Sequence, residues 1–207
     1  NSIGRCLPTV RSVLDGPYTI THSEGERSES AVANDMIPVV PLNFDTGWFI
    51  GATIGDGWVV FDRNRAVCIG FATGTQSDDV RLAWEHLAQY LCPDSKVSNR
   101  AMPHEFEGRE CMSFRSNVYC SSLARWLAKR IGQGAANKKM PKDYLQMSEE
   151  FRRGLFCGLV DTDGTVCWNA NNRFAMAVTT ISERLCGELC VLALSLGIVP
   201  SVTSYIN

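Results

Sequence analysis

The sequence has few of the residues from which zinc sites are built. Its three histidines, His22, His86 and His104, are far apart, and none of its nine cysteines forms a Cys-x-x-Cys pair. Scattered cysteines in an odd number are also not the pattern of a disulfide-stapled secreted domain. The sequence therefore argues against zinc. It favours reduced thiols in an intracellular compartment, which we expect to be the cytoplasm or the nucleoid.

Long apolar runs are also missing. No apolar stretch reaches the roughly 18 residues that can span a bilayer, and residues 1–14 lack the charged start and apolar core of a secretory signal. The chain has 207 residues, of which 45% are hydrophobic and 20% are charged. These values are typical of a globular protein with room for one large domain or two similar halves.

The chain has little net charge, −2 at pH 7, which on its own does not favour nucleic-acid binding. The positive residues are nevertheless concentrated, because residues 96–153 carry twelve Lys or Arg against six Asp or Glu. Residues 1–45 and residues 46–95 each carry three against six. A nucleic-acid-binding surface and an ordinary solvated helical face both explain this local surplus.

A repeated segment is the most informative feature that the sequence does contain. Residues 48–57 read WFIGATIGDG and residues 155–164 read LFCGLVDTDG. Each copy is an apolar helical stretch with small residues that ends in Asp-Gly. One Asp-Gly is usually a turn, but small residues at matching positions let two helices cross closely and bring Asp56 and Asp163 together. Paired carboxylates repel unless a cation lies between them, so the repeat predicts a divalent-metal site.

The hydrophobic pattern around the repeat predicts two related halves. Helices are expected at about 46–56, 77–91, 118–131, 148–163 and 182–196, and a further strand from 198. Asp45 or Thr46 is the predicted cap of the first helix, and Ser148 is the predicted cap of the fourth. Hairpin turns are expected at 62–65, 102–108 and 169–172. We therefore predict an irregular leader at 1–45, a first half at 46–134, a linker at 135–147 and a second half at 148–207. The second half lacks its last strand and helix, which another segment is expected to supply.

Both repeated segments resemble the signature of the LAGLIDADG homing endonucleases. Residues 156–164 match it closely (FCGLVDTDG), whereas residues 49–57 (FIGATIGDG) carry Ile54 where the first acidic residue of the motif would stand. The segment 138–141 (KKMP) and the segment 45–51 resemble the intein-encoded branch of that family. Over about 45–206 the chain is similar to the two-motif monomeric type. This implies an α+β fold of two pseudo-twofold αββαββα half-domains with curved antiparallel sheets, the second incomplete at its C-terminus.

The resemblance also implies an activity and the residues that carry it. The implied protein is a site-specific homing endonuclease that hydrolyses double-stranded DNA at a long asymmetric site, as in intron or intein homing. Asp56 and Asp163 would hold Mg²⁺ together with the backbone carbonyls of Gly55 and Thr162. Lys138, 25 residues before Asp163, matches the active-site lysine of the family. Its neighbour Lys139 is the alternative, and Asp161 is expected to support the site without binding metal.

The predicted hairpins would form a curved sheet in the DNA major groove, which admits a two-stranded ribbon. The polar and aromatic residues in and beside these hairpins are the predicted DNA contacts. They are Arg63, Asn64, Arg65, Lys96, Asn99, Arg100, Arg109, Arg115, Trp168, Asn169, Asn171, Asn172, Arg173 and Thr203. Ordinary loop solvation is the alternative for each of them, and about half are expected to touch DNA.

Three other functions remain open at this point. A LAGLIDADG protein can bind nucleic acid without cleaving it, as a maturase or a regulator. An intein with splicing activity is a second alternative, although residue 1 is Asn rather than Cys or Ser and no His precedes Asn207. A third is an unrelated small α/β enzyme or binding protein with accidental motif matches, which predicts no central helix pair.

Overall fold

The structure, a computed structural model, describes residues 17–19, 39–74, 77–106, 108–168 and 174–204. In this part of the chain five α-helices combine with three antiparallel sheets, so the protein has a mixed α+β fold. No helix among these residues is long and apolar enough to cross a membrane. The eight cysteines that the structure describes are free thiols.

The elements follow one another in two similar series. The helices are α1 (Phe44–Asp56), α2 (Asp78–Leu91), α3 (Ser121–Ile131), α4 (Glu149–Asp163) and α5 (Glu183–Ser195). The strands are β1 (Pro17–Thr19), β2 (Val39–Pro41), β3 (Gly57–Asp62), β4 (Arg65–Gly74), β5 (Lys96–Phe106), β6 (Arg109–Tyr119), β7 (Gly164–Trp168) and β8 (Phe174–Val178). The three sheets have the orders β1-β2, β3-β4-β6-β5 and β7-β8.

The pair α1 and α4 forms the centre of the molecule. Nearly all of α1 is buried, and the two helices meet through glycines. A Cβ atom at Gly51 would lie 2.2 Å from the Leu155 carbonyl oxygen, and one at Gly158 would lie 2.2 Å from the Trp48 carbonyl oxygen. Only residues without a side chain allow this approach. The predicted close crossing of the two repeated segments is confirmed.

The starts of these two helices show how local chemistry sets their bounds. The Ser148 hydroxyl accepts a hydrogen bond from the Phe151 N–H, so α4 begins as predicted. The predicted cap of α1 at Asp45 or Thr46 is wrong. Asn43 caps that helix instead, because its side-chain oxygen accepts a 3.0 Å hydrogen bond from the Thr46 N–H.

Hairpin geometry in the first half differs in part from the prediction. The turn between β3 and β4 is as expected, with Arg63 and Asn64 at positive φ of 45° and 67°. The second hairpin is longer than predicted, because its pairing continues to Phe106 opposite Arg109, so that only two residues separate the strands. Strand β6 also continues to Tyr119, so α3 begins at Ser121 rather than at 118.

The hydrophobic core of the first half lies between its sheet and the helices. The Trp84 ring of α2 stacks on Phe71 of β4 at 4.8 Å and on Phe49 of α1 at 5.4 Å. Its indole N–H donates a 2.9 Å hydrogen bond to the Thr53 hydroxyl. Both residues are fully buried, so this bond supplies a partner for a polar group that water cannot reach. This packing fixes α1, and with it the end of the first repeated segment, against the sheet.

The second half is less complete within the described residues. After α4 it has the hairpin β7-β8 and the helix α5, whose N-terminus Ser182 caps through the Leu185 N–H. The predicted hairpin turn at 169–172 lies outside the described residues. The strand expected from 198 does not form over 198–204. Pro200 lacks the N–H that a central strand needs, which agrees with this finding.

Candidate active site

Two carboxylates occupy equivalent positions at the ends of the central helices. Asp56 is the last residue of α1 and Asp163 is the last residue of α4, and a glycine begins the following strand in each case. A Cβ atom at Gly55 would lie 3.6 Å from the Asp163 Cγ, which shows how closely the two helix ends approach. The structure therefore brings together the two acidic residues that the repeat predicts.

The environment of the two carboxylates disfavours their charged forms. Burial and the neighbouring Asp163 raise the pKa of Asp56 to about 6, although the positive charge of Lys138 opposes this shift. Burial also raises the pKa of Asp163, again against the effect of Lys138. Because both carboxylates are partly buried and have raised pKa values, a positive charge bound next to them would stabilise their ionised forms.

Lys138 supplies one positive charge to this site. Its ammonium group donates a hydrogen bond to the Gly55 carbonyl oxygen, one residue from Asp56. Burial lowers the pKa of Lys138, while Asp163 and Asp56 act in the opposite direction. The adjacent Lys139 uses its backbone N–H to bind the Ile131 carbonyl at 3.0 Å. The sequence offered Lys138 and Lys139 as alternatives for the active-site lysine. In the structure the Lys138 side chain lies beside the two carboxylates.

The other two residues predicted around the metal have defined partners. The Thr162 hydroxyl donates to the carbonyls of Gly158 and Leu159 within its own helix, at 2.9 and 3.2 Å. The carbonyl of Gly55 accepts the bond from Lys138. Asp161 accepts a 2.8 Å hydrogen bond from the Trp48 indole, so it ties α4 to α1 beside the site.

An open cleft of about 350 Å³ lies next to Asp56. Trp58, Gln133 and Lys138 are among the residues that line it. Gly132 also lines the cleft: it has a φ of +75°, and a Cβ atom there would lie 1.9 Å from the Asn137 carbonyl oxygen. Trp58 and Gln133 were not predicted. Only their positions in the sequence could have indicated them, because Trp58 directly follows the first motif and Gln133 lies between two glycines.

The helix ends present oxygen donors, which are the ligands that Mg²⁺ takes. Among the described residues no group of three His, Cys, Asp or Glu side chains could hold a metal ion. The site instead presents two carboxylates and a backbone carbonyl. Mg²⁺ takes oxygen ligands, keeps several waters and needs only one or two protein carboxylates. Asp56 and Asp163, with the nearby carbonyls, are the residues that would hold it.

A second polar surface lies on the sheet of the first half, on the face away from α2. Arg100 and Arg115 are directly opposite each other on β5 and β6, and both are exposed. The Arg115 guanidinium stacks over the Trp58 ring at 4.7 Å from the ring centroid. Because Trp58 also lines the cleft, this basic and aromatic surface is continuous with the carboxylate site.

The adjacent residue on β5 belongs to the opposite face. Successive side chains of a strand point to opposite sides, and Asn99 donates a 3.2 Å hydrogen bond to the Glu85 carboxylate of α2. The Ser116 hydroxyl, on the same side, also donates to Glu85. Asn99 therefore faces the helices, unlike its neighbour Arg100.

The remaining predicted DNA contacts are placed as follows. Arg63, Asn64 and Arg65 are exposed at the turn between β3 and β4, and Lys96 is exposed at the start of β5. Thr203 is exposed in an irregular segment after α5. Arg109 and Trp168 lie at strand ends. Asn169, Asn171, Asn172 and Arg173 are outside the described residues.

Comparisons with known proteins address the second repeat most directly. Residues 150–205 match the family described as the LAGLIDADG-like domain. This segment contains α4 from its second residue to Asp163, and the elements β7, β8 and α5. The second half of the chain is therefore similar to a LAGLIDADG-like domain, as its motif indicated.

Two further proteins are similar to larger parts of the chain. The ATP-dependent DNA helicase Hel308 of Thermococcus kodakarensis is 29% identical over 166 residues, which are 79% of this chain and 14% of that protein. This chain thus spans only a small part of the length of its curated relative. The solved structure of the homing endonuclease I-WcaI bound to its DNA recognition sequence matches with a TM-score of 0.42 at 13% identity. That match covers 62% of this chain and 54% of that one.

Proposed function

We propose that this protein is a metal-dependent endonuclease that hydrolyses double-stranded DNA at a long, asymmetric site. The observation that carries the proposal is the meeting of Asp56 and Asp163 at the ends of two closely crossing helices, with Lys138 beside them. The LAGLIDADG-like domain at 150–205 supports it. So does the resemblance of both repeated segments to the homing endonuclease motif.

Each group at the site has a physical role in this reaction. Asp56 and Asp163 provide the negative charge that holds Mg²⁺ where a phosphate can also reach it. When bound, Mg²⁺ supplies an activated water and stabilises the leaving oxygen. Lys138 places a positive charge beside the carboxylates and in the lining of the cleft. There its ammonium group can orient a water molecule or offset the charge of the phosphate as charge builds up.

The sheet of the first half is the proposed DNA-binding surface. Arg100, Arg115 and Lys96 would bind phosphates or base edges, and the turn at 63–65 extends the same basic surface. Asn99 is left out, because Glu85 holds it on the other face. The two halves differ in sequence, so a monomer could read an asymmetric duplex without a partner copy.

A further β-hairpin and helix are proposed to complete the second half. The exposed apolar residues Val166 and Met176 lie on β7 and β8, and 40% and 41% of their surfaces are accessible. In the first half, β6 pairs with β4 and α3 covers the sheet at the corresponding place. We propose that a hairpin and helix joined after α5 cover this surface in the same way.

A cleavage-inactive DNA-binding protein is the second candidate. Ile54 favours it, because the first motif lacks the acidic residue that the second motif has at Asp161. The structure weakens this argument, since the Asp161 carboxylate is bound by the Trp48 indole and ties the helices together.

We also propose that the chain comes from the intein-encoded branch of the family. This proposal rests on the resemblance of the segments 45–51 and 138–141 to that branch.

The test is cleavage of a library of long DNA duplexes with and without Mg²⁺. We expect cutting by the parent, and none by Asp56→Asn or Asp163→Asn, with the binding of both variants to the same duplex retained. Asp161→Asn is the matched control, because an Asn oxygen can still accept the bond from Trp48, and it should cut. Binding without cutting by the parent would establish the second candidate. Loss of binding in both Asp variants would show that these residues support the fold instead.

A further inference from the structure

The segment that carries Lys138 is attached to α5 by three hydrogen bonds. The Ser182 hydroxyl donates to the Lys138 carbonyl at 2.7 Å. The Glu188 carboxylate accepts the Met140 N–H at 2.6 Å, and the Tyr144 hydroxyl donates to the Glu188 carbonyl at 2.9 Å. The backbone on the C-terminal side of the lysine is therefore fixed to the second half.

The same segment is also attached to the first half. The Lys139 N–H donates to the carbonyl of Ile131, the last residue of α3, at 3.0 Å. Gly132 packs against Asn137 so closely that a Cβ atom would not fit. The short segment at 138–140 is thus bound between α3 and α5, one helix from each half.

These attachments are shielded from water. Ser182 and Met140 are each only 1% exposed, so bulk solvent hardly reaches these two residues. The second oxygen of the Glu188 carboxylate accepts a bond from Arg184 at 2.8 Å, and the Arg184 side chain is 64% exposed. Glu188 therefore has one contact that fixes the backbone of the segment and one on the surface.

We propose that α5 is the positioning element for the active-site lysine, and that Glu188 is the positioning residue through which it acts. A lysine side chain has a flexible four-carbon stem, so the place of its ammonium group depends on a fixed backbone. Glu188 and Ser182 provide that fixed backbone and keep the Lys138 amine at the Gly55 carbonyl. The inference rests on the proposed function only in that Lys138 serves the cleavage reaction.

The geometry separates this role from the role of the carboxylates. Asp56 and Asp163 are placed by the glycine-mediated crossing of α1 and α4, which does not involve Glu188. Loss of the Glu188 contact should therefore free the lysine and leave the carboxylate pair in place. Ser182 is less suitable for a test, because its hydroxyl also caps α5.

The first experiment measures single-turnover cleavage and DNA affinity of Glu188→Ala. A displacement of about 1 Å at a reacting group can cost on the order of 100-fold, so we expect the rate to fall about 10- to 100-fold while the dissociation constant stays near the parent value. Glu188→Gln should recover most of the rate, since its amide oxygen can accept the Met140 N–H. Arg184→Gln, which removes only the surface contact, should behave as the parent.

A double variant distinguishes positioning from a general structural defect. Glu188→Ala combined with Lys138→Met should cut no more slowly than Lys138→Met alone, because a lysine that is absent cannot be misplaced. A clear additional loss in the double variant, or a Glu188→Gln variant as slow as Glu188→Ala, would overturn the proposal.

The second experiment does not depend on cleavage. An N-hydroxysuccinimide ester acylates accessible lysine amines, and mass spectrometry gives the ratio of labelled Lys138 to labelled Lys139 in each protein. We expect this ratio to rise in Glu188→Ala and to stay at the parent value in Glu188→Gln and Arg184→Gln. An unchanged ratio in Glu188→Ala would refute the positioning role. A raised ratio in a protein that never cuts DNA would support that role and reject the proposed function.

Discussion

The two halves of this molecule follow the same plan but differ in how well they cover their apolar residues. The strand pairings Gly57–Phe71 and Gly164–Val178 follow the two motif aspartates, and this register makes Ile69 equivalent to Met176. Ile69 is fully buried, whereas Met176 is 41% exposed. Equivalent positions of the two hairpins that follow the motifs thus have opposite environments.

The comparison shows which part of the motif is independent of the surrounding sheet. The helix ends with their carboxylates are equivalent in the two halves, because the glycine contacts of α1 and α4 set them. The sheets are not equivalent within the described residues, since the first has four strands and the second has two. The arrangement of the candidate site therefore depends on the helix crossing rather than on the sheets.

The largest effect should come from filling the helix crossing. Gly51→Leu and Gly158→Leu each place a side chain within 2.2 Å of a backbone carbonyl of the other helix. We expect either change to lower the free energy of unfolding by more than about 4 kcal/mol or to prevent folding. Gly187→Ala in α5, where nothing lies within 4 Å of the added atom, should change it by less than about 1 kcal/mol. Urea unfolding measures both, and a mild effect of the two Leu variants would disprove the close crossing.

The next largest difference should come from truncating the two equivalent strand residues, which should lower the free energy of unfolding by different amounts. Ile69→Ala removes a fully buried side chain, and we expect it to cost about 2–4 kcal/mol of unfolding free energy. Met176→Ala, at the exposed equivalent position, should cost less than about 1 kcal/mol. Equal losses of unfolding free energy for the two variants in urea would show that Met176 is covered in solution. The proposed completing hairpin and helix would then be the segment to examine for this contact.

The carboxylates should make the free energy of unfolding depend on pH, and this effect should be of intermediate size. The pKa of Asp56 is raised from 3.8 to about 6, so the folded state holds this proton more tightly than the unfolded state does. The contribution to stability is therefore greatest below about pH 4 and is lost as the pH rises to 6. For a half-buried group this amounts to about 2 kcal/mol. Asp56→Asn should be more stable than the parent at pH 7 by that amount, without metal, and equal to it near pH 3.5.

Thermal unfolding in EDTA at several pH values measures this difference. Asp163→Asn should change in the same direction, because the pKa of Asp163 is also raised by burial. Mg²⁺ should reduce the difference between parent and variant at pH 7. A parent protein that gains stability relative to Asp56→Asn as the pH rises from 4 to 6 would contradict the assigned sign.

The smallest effect should distinguish the two faces of the first sheet. Arg100→Ala removes one positive charge from the proposed DNA surface. We expect it to weaken binding by roughly 1 kcal/mol and to reduce the slope of log K against log salt by about 1. Asn99→Ala, one residue away on the opposite face, should leave the slope unchanged. A change in slope for Asn99→Ala would show that the interface includes the helix-facing side.

The repeated motif made much of this arrangement predictable. Small residues and a terminal Asp recur at matching positions, and that local pattern was sufficient to predict a helix crossing that joins Asp56 to Asp163. The caps and helix ends depend on single side chains, and Ser148 was recognised while Asn43 was missed. The extent of β5 and β6 could not be read locally, because the pairing of Phe106 with Arg109 is a property of the two strands together.

Other features needed the tertiary structure. The opposite orientations of Asn99 and Arg100 follow from strand alternation, but only the packing of the sheet on α2 decides that Asn99 is the one that faces the helices. Glu188 reads as one more charge on a solvated helix face, and its bond to the Met140 N–H joins residues that are 48 positions apart. Such contacts between elements carry no local signal, and they are the contacts that hold the lysine segment.

The most direct test of the central claim is whether one divalent cation binds between the two helix ends. Electron paramagnetic resonance with Mn²⁺ reports bound metal in the parent, Asp56→Asn, Asp163→Asn and the control Asp161→Asn. The account predicts one site in the parent and in Asp161→Asn, and its loss in each of the other two variants. Mn²⁺ binding that survives in both Asp56→Asn and Asp163→Asn would contradict it.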